Sequence, residues 1–78
     1  MKNKNEINYI DPFSILVVNR NGELGRIHCP FAVRCIAPVE NIKVGMIVSV
    51  EMIAVELTHE IYYRVRGRYL KYIHFEIR

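Results

Sequence analysis

The chain has 78 residues, of which 51% are hydrophobic and 24% are charged. This length excludes two separate hydrophobic cores, and this composition excludes intrinsic disorder, because enough apolar surface is present to offset the entropy lost on folding. The formal net charge of +3 is too small to require a polyanionic partner by itself. We therefore expect one small folded domain.

Positive charge is concentrated towards the C-terminal end of the sequence. Residues 1–60 carry six basic and seven acidic side chains, whereas residues 61–78 carry five basic side chains and one acidic side chain. Any surface that attracts an anionic partner is therefore expected within this last segment.

No segment has the pattern of a membrane span or of a signal peptide. The aliphatic run at residues 15–18 is shorter than the roughly 7–15 apolar residues of a signal sequence and far shorter than the roughly 20 of a spanning helix. Five residues of extended chain would hold Cys29 and Cys35 about 20 Å apart, which favours buried, reduced thiols over a disulfide. These features predict a soluble, cytoplasmic protein with no membrane contact.

The N-terminal part of the sequence predicts a loose arm followed by a hairpin. Residues 1–9 are polar and rich in Asn, so we expect a flexible, disordered N-terminal arm over 1–9 and a single domain over 10–78. A β-branched and aromatic run at 13–18 leads into Asn21-Gly22, a pair that favours the positive φ angles of a hairpin turn.

The middle of the sequence predicts two further strands. From 25 to 37 apolar residues recur at every second position, which is typical of a half-buried strand, and Pro30 requires a bend or a sheet edge there. Residues 46–57 are rich in β-branched side chains and favour a strand over a helix. Their alternation changes phase partway, which predicts a β-bulge or sharp bend near Met52.

The last two strands are predicted to form a hairpin from Ile61 to Ile77. A three-residue loop, Arg66-Gly67-Arg68, pairs Val65 with Tyr69 and keeps nearly all the apolar side chains on one face. A two-residue loop would instead place Arg68 opposite Val65 on that apolar face. We therefore expect the three-residue loop.

About five strands, short turns and no helix predict an all-β fold, specifically a small five-stranded barrel that is closed or nearly closed. The run at residues 42–50, in which Gly45 precedes alternating aliphatic residues, resembles the start of a middle strand in SH3-like and OB-like barrels. The resemblance implies a barrel of one of these two kinds and leaves the choice between them open.

Tyrosine and arginine side chains alternate along the solvent face of this predicted hairpin. Leu70 is predicted to lie on the same face. The candidate binding residues are Tyr62, Arg64, Arg66, Arg68, Tyr72, His74 and Arg78. Arginines neutralise phosphates while bases stack on tyrosine rings, so one hypothesis is sequence-tolerant binding of single-stranded RNA or DNA.

A second hypothesis is a protein-interaction or self-assembly module that uses the same hairpin, since Tyr and Arg are enriched in binding hot spots. The partner would be another protein, or a second copy presenting its Glu51 and Glu56. A purely structural interpretation also fits, because tyrosine pairs stabilise hairpins and arginines on exposed strands discourage edge-to-edge association.

The sequence contains no catalytic or metal-binding signature. His28, Cys29, Cys35, His59 and His74 do not have the paired ligand spacing of a zinc site. Adjacent side chains on a strand point to opposite faces, so His28 cannot act as the base for Cys29. The acidic residues at 51, 56 and 60 are interpreted as a solvated face. We therefore expect no enzyme activity, no metal and no cofactor.

Overall fold

The computed structural model describes residues 6–77, which form nine short strands and one turn of 3-10 helix. The strands are β1 (Glu6–Asp11), β2 (Ser14–Val18), β3 (Leu24–His28), β4 (Phe31–Cys35), β5 (Ile47–Val50), β6 (Met52–Val55), β7 (Ile61–Val65), β8 (Arg68–Lys71) and β9 (Phe75–Ile77). The 3-10 turn, Tyr72–His74, lies between β8 and β9. The all-β prediction is confirmed.

The N-terminal sheet consists of β1, β2 and β3, paired antiparallel in chain order. The expected flexible arm over residues 1–9 is wrong for residues 6–9, which belong to β1, while residues 1–5 lie outside the described part of the chain. Ile7 and Tyr9 project from one side of β1 and pack against the core, so this short alternation is enough to hold the strand in place.

Two further sheets share one bent strand. Their orders are β5-β4-β9 and β6-β7-β8, and only Glu51 separates β5 from β6. Val48 and Val50 are buried before the break and Ile53 after it, so the buried face changes parity. The predicted bend near Met52 is confirmed, and it lets one segment of chain serve both sheets.

The C-terminal segment also passes from one sheet to the other. The 3-10 turn ends β8 at Lys71, and β9 then pairs with β4, where Val33 lies opposite Ile77 and Cys35 opposite Phe75. A continuous strand from Tyr69 to Ile77 was expected, and that prediction is wrong. At Pro30, which follows a cis peptide bond, the chain leaves β3 and enters β4 in a different sheet, as the predicted bend required.

The expected five-stranded closed barrel is not found. Among residues 6–77 the strands form three separate three-stranded sheets, with no hydrogen-bonded ladder running around the whole. The breaks at Pro30, at Glu51 and at the 3-10 turn each divide one of the five predicted strands in two, and β1 adds a strand that was not predicted, which is why nine short strands replace five.

One hydrophobic core joins the three sheets. Tyr63 on β7 is completely buried, and its ring contacts Phe31 edge-on at a centroid distance of 5.7 Å and Phe75 at 6.2 Å. Ile15 from the N-terminal sheet and Val33 from β4 are fully buried in the same cluster. Every sheet therefore contributes to this core.

The β7–β8 hairpin has a two-residue loop, so the predicted three-residue register is wrong. Val65 lies opposite Arg68 and Tyr63 opposite Leu70. Arg66 and Gly67 both have positive φ, 53° and 80°, which is the conformation of a type I′ turn whose twist suits paired strands. The strand pairing places Leu70 in the core, where it is buried, and turns its neighbours on β8 to the other side.

Candidate interaction surface

The outward side of the β6-β7-β8 sheet presents two rows of cross-strand neighbours, which we call the outer face. One row is Met52, Arg64 and Tyr69, and the other is Ala54, Tyr62 and Lys71. Tyr62 and Tyr69 are diagonal neighbours on adjacent strands, a spacing at which aromatic side chains reach each other. Tyr69 is 49% exposed, which is high for an aromatic ring on a paired strand.

The structure divides the candidate residues on the hairpin into two groups. Tyr62 and Arg64 lie on the outer face. Arg66 lies in the turn, and Arg68 projects from the opposite side of the sheet together with Leu70.

Tyr69 and Lys71 lie opposite Arg64 and Tyr62, in the places that the predicted register gave to Leu70 and Tyr72. The Arg66-Gly67 pair was the signal for this register, because a Gly in a two-residue loop favours a primed turn. The three-residue loop was predicted instead because it kept Arg68 off the apolar face.

Two of the remaining candidates, Tyr72 and His74, are not part of the outer face. Tyr72 lies in the 3-10 turn, where it is half-buried and packs against the core. His74 ends the same turn, with its Nδ1 3.1 Å from the carbonyl oxygen of Ala37. The structure therefore does not bring these two side chains together with Tyr62 and Arg64. The last candidate, Arg78, lies outside the described residues.

Carboxylates of the same chain form ion pairs with two of the three arginines of the hairpin, Arg64 and Arg68. Arg64 Nε is 3.5 Å from Glu51 Oε1, and Arg68 Nη1 is 3.4 Å from Glu40 Oε1. Arg64 Nε is itself buried and has no partner within hydrogen-bonding geometry in the described part of the chain. Charge attraction to Glu51 therefore holds Nε of Arg64, while Nη1 donates a weak hydrogen bond to Met52 Sδ at 3.6 Å.

Acidic side chains also surround Tyr62. The pKa of Tyr62 is raised, first by desolvation and then by the Glu56 carboxylate, while Lys71 acts in the opposite direction and Glu60 adds to the increase. Two carboxylates thus lie close enough to this phenol to affect its ionisation. The outer face is therefore an aromatic surface with mixed charge rather than a basic one.

No protein-family model, curated protein or solved structure matches this chain. Over residues 6–77 there is no helix with the length and apolar character needed to cross a membrane. The same residues contain no group of three or more His, Cys, Asp or Glu side chains placed to hold a metal ion.

The two cysteines are free thiols. Cys35 is buried and its Sγ lies 3.3 Å from the carbonyl oxygen of Ala37. Desolvation, and then the negative charge of Asp11, raises the pKa of the half-buried Cys29 thiol. A raised thiol pKa lowers the fraction of thiolate at neutral pH, so the electrostatics at Cys29 do not favour a nucleophile.

Proposed function

We propose that this chain is a non-enzymatic protein-interaction module whose partner binds the outer face. The observation that carries the proposal is the combination of an exposed Tyr69 and a half-buried Tyr62 with an arginine, Arg64, that is already paired with the Glu51 carboxylate of the same chain. Tyrosine and arginine supply binding energy through large, rigid, amphipathic contacts, and they are the residue types most enriched in interface hot spots.

Single-stranded nucleic acid is the competing ligand for the same surface. The diagonal pair of Tyr62 and Tyr69 on a sheet face favours it, because bases stack on such rings. Charge opposes it, since Glu51 is paired with Arg64 and the carboxylates of Glu56 and Glu60 act on the phenol of Tyr62, whereas the outer face presents only two cations, Arg64 and Lys71. Nucleic-acid affinity depends mainly on phosphate neutralisation, so we favour the protein partner.

Self-assembly through the basic hairpin and the acidic residues of a second copy is less favoured. Glu51, one of the carboxylates proposed to face that copy, already forms an ion pair with Arg64 of its own chain. A second copy would have to break that contact to form an equivalent one. A different protein that brings apolar or hydrogen-bonding groups to the tyrosines could bind without breaking this ion pair.

We also propose that β4 to β9 form a partly open, SH3-like small barrel to which the N-terminal sheet is added. The support is the strand β5–β6, which bends at Glu51 and serves two sheets, together with the 3-10 turn that returns the chain to pair with β4. Strands that change sheet at a bend form the corners of orthogonally packed small sheets.

The proposed function is tested by site-specific photo-crosslinking in the cells that make the protein. A photoreactive phenylalanine analogue replaces Tyr69 on the outer face or, as a matched control, the exposed Leu24 on the N-terminal sheet. We expect a discrete protein adduct from position 69 that is absent from position 24 and is lost when Tyr62→Ala is added. Identical adducts from both positions, or none from position 69, contradict the proposal.

Chemical-shift perturbation distinguishes the two ligand classes. Short poly-U and poly-dT oligomers are titrated into the labelled protein at low salt, where electrostatic binding is strongest. We expect no saturable shifts on the outer face. Saturable, salt-sensitive shifts at Tyr62 and Tyr69 would favour nucleic acid over the protein partner.

A further inference from the structure

A separate depression lies at the turn end of the β7–β8 hairpin, lined from the side opposite the outer face. Residues 40–42 approach the hairpin there and enclose a volume of about 220 Å³. The apolar part of its lining comes from Ile42, Val65 and Leu70, all of them core residues. This volume is below the roughly 300–1,000 Å³ of pockets that hold drug-sized ligands, so it accommodates one small group.

Two arginines and one carboxylate supply the charge around this depression. Arg66 and Arg68 line it from the hairpin and Glu40 lines it from the opposing loop. The 3.4 Å ion pair between Arg68 and Glu40 is too long to be a tight two-point contact, so Arg68 retains free N–H donors. Arg66 has no ion pair among the described residues. These three groups sum to a net charge of +1.

We propose that this depression, which we name the arginine pocket, binds a carboxylate carried on a short apolar group. Guanidinium N–H groups match the geometry of a planar carboxylate, and Asn41 is a further polar residue of the lining. A monoanion balances the charge of +1, whereas a phosphate dianion would leave an excess negative charge and would be repelled more strongly by Glu40. The apolar lining accepts a few methylene groups. This site does not depend on the outer face.

Two sources supply this chemistry, a free short-chain carboxylic acid and the C-terminal carboxylate of a peptide. The probes are therefore sodium butyrate, a short peptide ending in a free carboxylate after an aliphatic residue, and the same peptide with an amidated end. We expect butyrate and the free-acid peptide to bind and the amidated peptide not to bind. Tighter binding of the peptide than of butyrate identifies the peptide end as the source, and the reverse order identifies the free acid.

The measurement is the shift of backbone amide resonances during titration of the labelled full chain. We expect saturable shifts at Asn41 and Gly67, with a dissociation constant of about 1 mM, the range open to a ligand this small. Arg66→Gln and Arg68→Gln should each weaken binding about tenfold. Lys43→Gln removes one positive charge from the same loop region without touching the pocket, and it should leave binding unchanged.

Two more variants distinguish recognition by the planar guanidinium group from attraction by its positive charge alone. Arg66→Lys keeps the charge but loses the planar fork, so binding of butyrate should weaken severalfold. Glu40→Gln raises the charge of the pocket, so inorganic phosphate, expected to bind the unmodified chain more weakly than butyrate, should gain affinity. The proposal is overturned by the absence of saturable shifts at Asn41 and Gly67, by equal effects of Lys43→Gln and Arg66→Gln, or by tighter binding of phosphate than of butyrate.

Discussion

Replacing Tyr63 with Phe tests how the core accommodates an unpaired hydroxyl. Tyr63 is completely buried between Phe31 and Phe75, and its Oη has no hydrogen-bond partner in the described part of the chain. An unsatisfied buried polar group costs about 1–3 kcal/mol, and Phe keeps the ring contacts while removing that group. We expect Tyr63→Phe to raise the free energy of unfolding by about 1 kcal/mol near neutral pH. For a domain of this size the melting temperature should rise by about 4–8 °C.

The same variant should change the pH dependence of stability. Burial raises the pKa of Tyr63, so the folded protein retains the phenol proton at a pH where the unfolded chain, with a pKa of about 10, has lost it. The stability linked to this proton is fully present below about pH 10 and is lost as pH rises above it, at about 1.4 kcal/mol per pH unit. Phe has no such proton, so its advantage over Tyr63 should increase at that rate.

Urea unfolding followed by circular dichroism, at about pH 7 and about pH 11, measures both effects. Tyr69→Phe is the matched control, because it removes the same hydroxyl from an exposed ring and should change stability by less than about 0.5 kcal/mol at either pH. Destabilisation of Tyr63→Phe by about 1 kcal/mol or more at neutral pH would mean that the hydroxyl is hydrogen-bonded in solution. Parallel losses in the variant and the parent above pH 10 would refute the burial argument.

Three further predictions concern the hairpin turn, the carboxylate of Asp11 and the charge of the outer face. Gly67→Ala should cost about 1–2 kcal/mol in urea unfolding because its φ is positive, whereas Gly25→Ala, equally free of contacts but without that φ, should cost clearly less. The pKa of Asp11 is lowered, chiefly because the backbone N–H of Phe13 donates a hydrogen bond to its carboxylate. The stability that Asp11 contributes is therefore present above about pH 4 and is lost on further acidification. Asp11→Ala should flatten the fall in the free energy of unfolding between about pH 5 and pH 2. The double variant Glu51→Gln, Glu56→Gln should gain affinity for poly-U that falls steeply with salt, and no gain would show that carboxylates are not what excludes phosphate.

Much of the strand content could be predicted because alternation reflects burial directly. The apolar positions from Ile27 to Cys35 do face inwards, and the change of phase after Val50 did mark a bend. The bend at Pro30 followed from its missing N–H. The extent of β1 was missed because only Ile7 and Tyr9 carry the pattern there, and two positions do not establish a period.

The candidate site was harder to predict because it depends on contacts between distant parts of the chain. Placing Arg68 opposite Val65 was expected to destabilise the hairpin, but Arg68 forms an ion pair with Glu40, a partner that strand patterning does not reveal. The same holds for Glu51, which lies at the break between β5 and β6 and forms an ion pair with Arg64 on β7. The sequence shows which residue types lie on the hairpin, but the loop length determines which of them share a face. The ion pairs that compensate their charges come from residues outside the hairpin.

The pairing of β4 with β9 has a consequence for synthesis of the protein on the ribosome. β4 is the central strand of its sheet, yet its partner on one side begins only at Phe75. Until that residue has emerged, a nascent chain exposes the edge of β4 and the groups that Phe75 will cover, and such unpaired edges promote aggregation. Co-translational folding can therefore complete the N-terminal hairpins early, but this sheet closes last.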